Sequence, residues 1–214
     1  MLKTLKDIIF SLYLLISSIV FSVLITLNIS PLIYYILIKF NKIPKFNNIS
    51  CYELLKDYKN IITYLNSSNI DRLTFENFKM SAIGEFHFLE VKEIFSSLYL
   101  LGLSSLILCL LIFTFLKVFK LKISLRGFNL FFYEVLFLAC FLIISFYLNF
   151  SKMFTLFHRI FFNNDYWIFD PKKDEIINVL PEEYFLLLSL FTLILVISFS
   201  IISKVFYTLK KRKK

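Results

Sequence analysis

Four long apolar runs, at about 8–28, 94–116, 128–150 and 184–202, divide the chain, and polar residues concentrate between them. Each is close to the ~20 residues a helix needs to cross the hydrocarbon core of a bilayer. The pattern predicts four transmembrane helices. Lys3 and Lys6 precede the first run, as in a signal peptide. That run is longer than the usual h-region of about 7–15 residues and no A-x-A-like site follows it, so it reads as a retained helix.

The two longer polar stretches carry their own signals. Ser50-Cys51-Tyr52-Glu53 has capping-box spacing. Leu54, Leu55, Tyr58, Ile61, Ile62 and Leu65 follow at helical period, and Asn66-Ser67-Ser68-Asn69 ends the element. A second helix starts near Ser81 and runs unbroken into the second span; Gly84 weakens its first turn without stopping it. In the other stretch, 158–162 and 166–169 flank Asn163-Asn164-Asp165, which predicts a short β-hairpin closed by Asp170-Pro171. Pro181 with Glu182 and Glu183 suits a helix start. The expected fold is an all-α membrane protein, one membrane domain over 1–214, with a small α/β cap formed by 39–93 and 151–183.

Composition agrees with a bilayer. Of the 214 residues 58% are hydrophobic and only 18% charged, and there are 28 Phe against 3 Gly; mean hydropathy is +0.75. Soluble, disordered and fibrous classes fit this poorly. The net charge of +9 becomes informative once it is split along the chain. Half of the 24 basic residues (Lys3, Lys6, Lys117, Lys120, Lys122, Arg126, Lys204, Lys210, Lys211, Arg212, Lys213 and Lys214) lie in the N-terminus, the middle loop and the tail, with Asp7 the one acid among them. The other two loops hold the remaining 12 basic residues and 13 of the 15 acids. The positive-inside rule then places both termini in the cytoplasm and the cap outside. No nucleic-acid partner is implied, because the basic residues flank apolar runs rather than forming a soluble basic face. Cys109 and Cys140 lie within apolar runs and Cys51 is left over, so no disulfide is expected.

Two histidines are the candidate chemistry. His87 lies seven residues before the second span and His158 eight residues after the third, so the charge topology brings both to one outer boundary. Glu90 lies at i+3 from His87, where a carboxylate can orient an imidazole or raise its basicity; the plainer reading is a local helix pair. Two His and a carboxylate are also a weak metal signal, with no H-x-x-x-H or C-x-x-C spacing. Phe154, Phe157, Phe161, Phe162, Tyr166, Trp167 and Phe169 crowd around His158. They suit an interfacial belt, an acyl-chain pocket, or both. Glu134 is the one acid inside a span; it reads as structural, with Arg126 as a candidate partner.

At these residues the sequence resembles the lipoprotein intramolecular transacylase family. His87-Phe88-Leu89-Glu90-Val91-Lys92 is similar to its H-x-x-D-V-K motif, with Glu90 standing where the family usually has Asp. A second block runs from Phe157-His158-Arg159-Ile160-Phe161-Phe162 through Trp167-Ile168-Phe169-Asp170-Pro171 and Asp174 to Leu180-Pro181-Glu182. Its Asn163-Asn164-Asp165 turn differs from the Gly-containing turn of the family. The resemblance implies four spans under an extracellular cap and two catalytic histidines at their junction. Glu90, Lys92, Phe157, Arg159, Phe161, Trp167, Asp170 and Asp174 would support them or line the pocket. It also implies transfer of the sn-2 acyl chain of a diacylglyceryl-cysteine to that cysteine's α-amino group, with His87 as base and His158 as acid, or the reverse. The partners would be a diacylated bacterial lipoprotein and membrane lipid. Ester-to-amide transfer runs downhill, so no cofactor and no metal are expected. Rival readings are a membrane hydrolase, metal-dependent or not, using the same histidines, and a non-enzymatic transporter or scaffold. Almost no polar, Gly or Pro residues interrupt the spans, which argues against a transporter.

Overall fold

The computed structural model describes residues 2–120 and 125–212; Lys122, Lys213 and Lys214, counted above, lie outside the described residues. Five helices account for most of the chain: α1 (Leu2–Lys39), α2 (Cys51–Asn66), α3 (Ala82–Val118), α4 (Arg126–Phe161) and α5 (Glu182–Arg212), with a short 3-10 helix at Glu175–Val179. Four of them, all but α2, are long and apolar enough to cross a membrane. Among the described residues there is no strand.

The helices outlast their apolar windows. A 37-residue helix such as α3 is about 55 Å long, against roughly 30 Å of hydrocarbon. α1 continues through Pro31, which has no N–H to offer the carbonyl of Leu27 four residues back. The Ser30 hydroxyl donates to that carbonyl at 2.7 Å, so the interruption leaves no orphan acceptor.

The chain divides into two compact units: Met1–Leu24 with Leu98–Leu148 and Leu190–Lys214, and Ile25–Ser97 with Asn149–Ser189. In the first, Phe131, Val135 and Val196 form a small core against Leu14, Leu15, Ile19, Ile197 and Phe199. Most other large apolar side chains, such as Leu110, Phe137 and Ile202, face outward. In water that surface would be a severe liability; in lipid it is the solvated face. Gly127 lets α4 approach α1 closely, because a Cβ there would lie 2.6 Å from a Phe10 ring carbon.

The second unit has a larger core. The rings of Tyr34, Tyr58 and Tyr184 pack together, with Tyr34 and Tyr58 stacked at 4.3 Å. Their hydroxyls form a chain: Tyr184 donates to Tyr58 at 2.6 Å, and Tyr58 to the Ser30 hydroxyl at 2.8 Å. α2 has the expected capping box and ends at Ser67, and it buries Leu54, Tyr58, Ile61, Ile62 and Leu65. Its fully buried Asp57 accepts from the Glu76 and Asn77 amides and the Asn77 side chain. That carboxylate shapes the loop leading to α3.

The expected hairpin, and with it the α/β character of the cap, is corrected. Residues 158–161 remain in α4, and the Phe162 amide still donates to the His158 carbonyl at 2.8 Å. The reason lies at Asn149, whose backbone leaves helical geometry (φ −168°, ψ 93°). Its side-chain oxygen accepts from the Lys152 amide at 2.8 Å, so Asn149 caps a new helical segment. Phe150, Phe154, Phe157, His158 and Phe161 then recur at i+3 and i+4. Beyond it the Tyr166 amide is taken by the Asn164 side chain rather than by a facing strand. Bulky aromatic composition suggested a strand where capping and helical spacing decided otherwise.

Candidate active site

The start of α3, the segment of α4 after Asn149 and the loop from Phe162 to Phe169 converge within the second unit. They bring the two imidazoles together, with ring centroids 6.1 Å apart. His87 is buried, edge-on to Phe162 at 4.7 Å and to Phe169 at 5.5 Å. His158 lies between Phe154 at 4.2 Å and the Trp167 indole, which stacks on it at 4.7 Å.

Hydrogen bonding distinguishes the rings. His158 Nδ1 is 2.7 Å from the carbonyl of Phe154, one turn back on α4. A carbonyl only accepts, so Nδ1 carries the proton and the neutral ring keeps its lone pair on Nε2. His87 Nδ1 lies 3.8 Å from Glu90 Oε2, too far for a hydrogen bond. Both atoms are buried and neither has a hydrogen-bond partner, and the same holds for Trp167 Nε1. Glu90 Oε1 accepts instead from Asn164 Nδ2 at 2.7 Å.

Both histidines lie outside the apolar windows, and both are neutral near pH 7. Burial pushes His87 down to about 4, and the nearby His158 adds to this. Burial also lowers His158, against the opposing effects of the Phe154 carbonyl bond and the Glu182 carboxylate. A pair of uncharged imidazoles, one with its acceptor atom defined, is equipped for proton transfer rather than for binding an anion.

The remaining residues singled out from the sequence fall into two sets. Phe157 and Phe161 pack against each other with tilted rings at 4.6 Å and are half-exposed; Phe157 also meets His158 edge-on at 5.5 Å. Arg159, also exposed, lines a groove of about 360 Å³ with Asn149, Ser151, Lys152, Thr155 and Leu156. The others hold backbone. The Lys92 ammonium donates to the Ile70 carbonyl and sits 4.3 Å over the Tyr64 ring. Asp174 accepts from the Ser81 amide and hydroxyl at the start of α3, and it fills the space above Gly84. Asp170 accepts from the Lys172 amide at 3.0 Å. Sequence reasoning missed Asn164 as a partner of Glu90, and the Phe154 carbonyl. The i−4 spacing of Phe154 from His158 was the one available sign of the second.

Four long apolar helices define a multi-pass membrane protein, and its uncharged His87 and His158, one buried and one half-buried, form a candidate acid–base site. The model of the family "Lipoprotein intramolecular transacylase Lit" matches residues 8–185, and the chain belongs to that family, which makes it an acyltransferase. Among solved structures it is similar to the membrane-integral lipoprotein intramolecular transacylase Lit of Bacillus cereus, at 26% identity and a TM-score of 0.86 over 100% of this chain and 99% of that one. Two variants of that protein, with one histidine replaced by arginine or by alanine, align at 28% identity and a TM-score of 0.74. They cover 99% and 100% of this chain, and 96% and 98% of their own. No curated protein matches the chain.

Proposed function

We propose that the protein moves the sn-2 acyl chain of a lipoprotein's diacylglyceryl-cysteine onto that cysteine's own α-amino group. The product is the lyso form, N-acylated and S-monoacylated. The observation carrying this reading is the pairing of the buried His87 with the half-buried His158, in which the bond to Phe154 leaves the Nε2 of His158 as a proton acceptor.

The proton balance suits two imidazoles. A C–N bond forms and the bond between the acyl carbon and the glyceryl oxygen breaks. The α-ammonium nitrogen gives up two protons, the glyceryl oxygen takes one, and solvent takes the other. With a pKa of about 7.7–8.0 the amine is largely protonated at neutrality, so it needs a base before it can attack. We assign the shuttle to His158, which takes a proton from nitrogen and returns it to the leaving oxygen through the same Nε2. His87, with its Nδ1–H drawn to Glu90, presents Nε2 to the ammonium and offsets the charge the nitrogen carries through the tetrahedral state. Nucleophile and ester belong to one substrate, so holding them in register contributes several kcal/mol, on the order seen for oriented intramolecular reactions. Phe157, Phe161 and Trp167 contact the acyl chain; Lys92, Arg159, Asp170 and Asp174 support the walls.

The reading includes spans near 8–28, 94–116, 128–150 and 184–202 and cytoplasmic termini. A helical extracytoplasmic cap from 39–93 and 151–183 places the histidines at the outer face. Diacylated lipoprotein and membrane lipid are the partners; no cofactor or nucleic acid enters. The test is expression in a bacterium lacking such activity, followed by the mass of a reporter lipoprotein's N-terminal peptide. The lyso form is expected. Unchanged diacyl termini, with the protein present in the membrane, would sink the proposal.

A further inference from the structure

Asn164 has both ends of its side chain engaged. Its oxygen accepts from the Tyr166 amide at 2.9 Å and its nitrogen donates to Glu90 Oε1 at 2.7 Å. The orientation of the amide is not arbitrary. A backbone N–H only donates, so the oxygen faces Tyr166 and the NH₂ faces the carboxylate. A carboxylate turns easily about its last bond, but here one oxygen is held. The other is left 3.8 Å from His87 Nδ1, and neither of those buried atoms has a hydrogen-bond partner. A shift of under ~1 Å closes that gap to a charge-assisted hydrogen bond. The same short loop carries Trp167, stacked on His158, and Phe169, edge-on to His87.

We infer that Asn164 is a positioning residue of the transfer reaction. It pins one oxygen of Glu90 so that the other receives Nδ1–H of His87 and leaves Nε2 for the substrate, and it docks the loop covering both imidazoles onto α3. This rests on the transacylase reading above. Asn164 itself touches no reacting atom.

Asn164→Asp tests it, being the same shape and retaining the bond to the Tyr166 amide while losing the donor to Glu90. Conversion of the reporter lipoprotein is expected to fall roughly 10- to 100-fold, the range for a lost bond to a charged group. The acid limb of its pH profile is expected to move to higher pH, because a second carboxylate beside Glu90 favours the charged imidazole. Adding Glu90→Gln restores the bond with donor and acceptor exchanged. Thermal stability then recovers while conversion stays low, since the glutamine at position 90 offers His87 no charge. An Asn164→Asp enzyme with unchanged rate and unchanged limb would overturn the inference. So would full recovery of the rate in the double variant, which would make the bond a loop anchor alone. If the unaltered protein converts nothing, the transacylase reading fails instead. The NMR titration of His87 then decides for Asn164 on its own: a raised midpoint in Asn164→Asp supports positioning, and an unmoved one refutes it.

Discussion

The two compact units satisfy their polar groups in different proportions. In the unit made of Met1–Leu24, Leu98–Leu148 and Leu190–Lys214, hydroxyls mostly return to their own helix. Ser18, Ser104, Thr114, Ser145, Ser198 and Ser200 each donate to a carbonyl three or four residues back. Other bonds run between helices, such as Tyr13 to the Ser105 carbonyl, Ser11 to Glu134 and Ser203 to the Phe128 carbonyl. In the other unit the polar interior is tied across long separations: Tyr34 to Val179, Ser81 to Asp174, Asp57 to Glu76 and Asn77, and Asn164 to Glu90. A helix with lipid as its solvent finds no water to compensate a polar group, so local closure is the safe arrangement. Distant polar bonds cost more to assemble, and the unit that holds the imidazoles is built on them.

The sharpest way to break that contrast is at the pair itself. His158→Ala, and separately His87→Ala, should reduce lipoprotein conversion by about 10²–10⁴-fold, the usual share of acid–base catalysis. Membrane abundance should be unchanged, and the mass spectrum of the N-terminal lipopeptide is the measurement. Near-normal conversion in either variant would remove that residue from the chemistry.

Acidification acts on the same groups. Because the folded His87 sits at about 4 rather than 6.5, protonating it disfavours the native state. Its contribution to stability is complete above about pH 6.5 and is lost as pH falls towards about 4. His158, also lowered, must be neutral to accept a proton. At saturating substrate the rate should therefore hold down to about pH 6.5 and fall below it, with the melting temperature declining over the same interval. A rate that rose on acidification would exclude a neutral imidazole as the acceptor.

A buried anchor far from the imidazoles should affect folding rather than rate. Asp57→Ala strands two backbone amides and one side-chain amide, a loss on the order of 3 kcal/mol. Gly84→Ala would put a methyl 2.2 Å from Asp174 Oδ1, costing roughly 1–3 kcal/mol as the start of α3 shifts. Both should lower the melting temperature in detergent; folded Asp57→Ala should turn over at nearly the normal rate, whereas Gly84→Ala, one turn before His87 on α3, should also slow turnover.

The contrast also explains which parts of the molecule were legible in the sequence. Runs of apolar residues and the Ser50–Glu53 box are local signals, and they marked the helices. The hairpin failed because Asn149 looks like any polar residue at the end of an apolar run, and only its capped geometry shows that the helix restarts. Asn164 and Glu90 are 74 positions apart, so no window of sequence could pair them. Both stood out as departures from the family pattern, at Glu90 and in the 163–165 turn, and folding joins the two. Lys92 and Asp174, members of the two motif blocks, hold backbone instead.

The smallest effect is expected in the apolar unit. Glu134 is its one intramembrane acid, and Oε1 accepts from the Ser11 hydroxyl at 2.8 Å. Glu134→Gln retains an oxygen for that bond and removes the ability to ionise. If local closure is all that this unit requires, conversion should change by less than about twofold and stability by about 1 kcal/mol at most, the worth of one neutral hydrogen bond. A large loss of activity at normal abundance would mean that an ionisable group inside the span takes part in turnover. The division between a chemically inert bundle and a reactive second unit would then no longer hold.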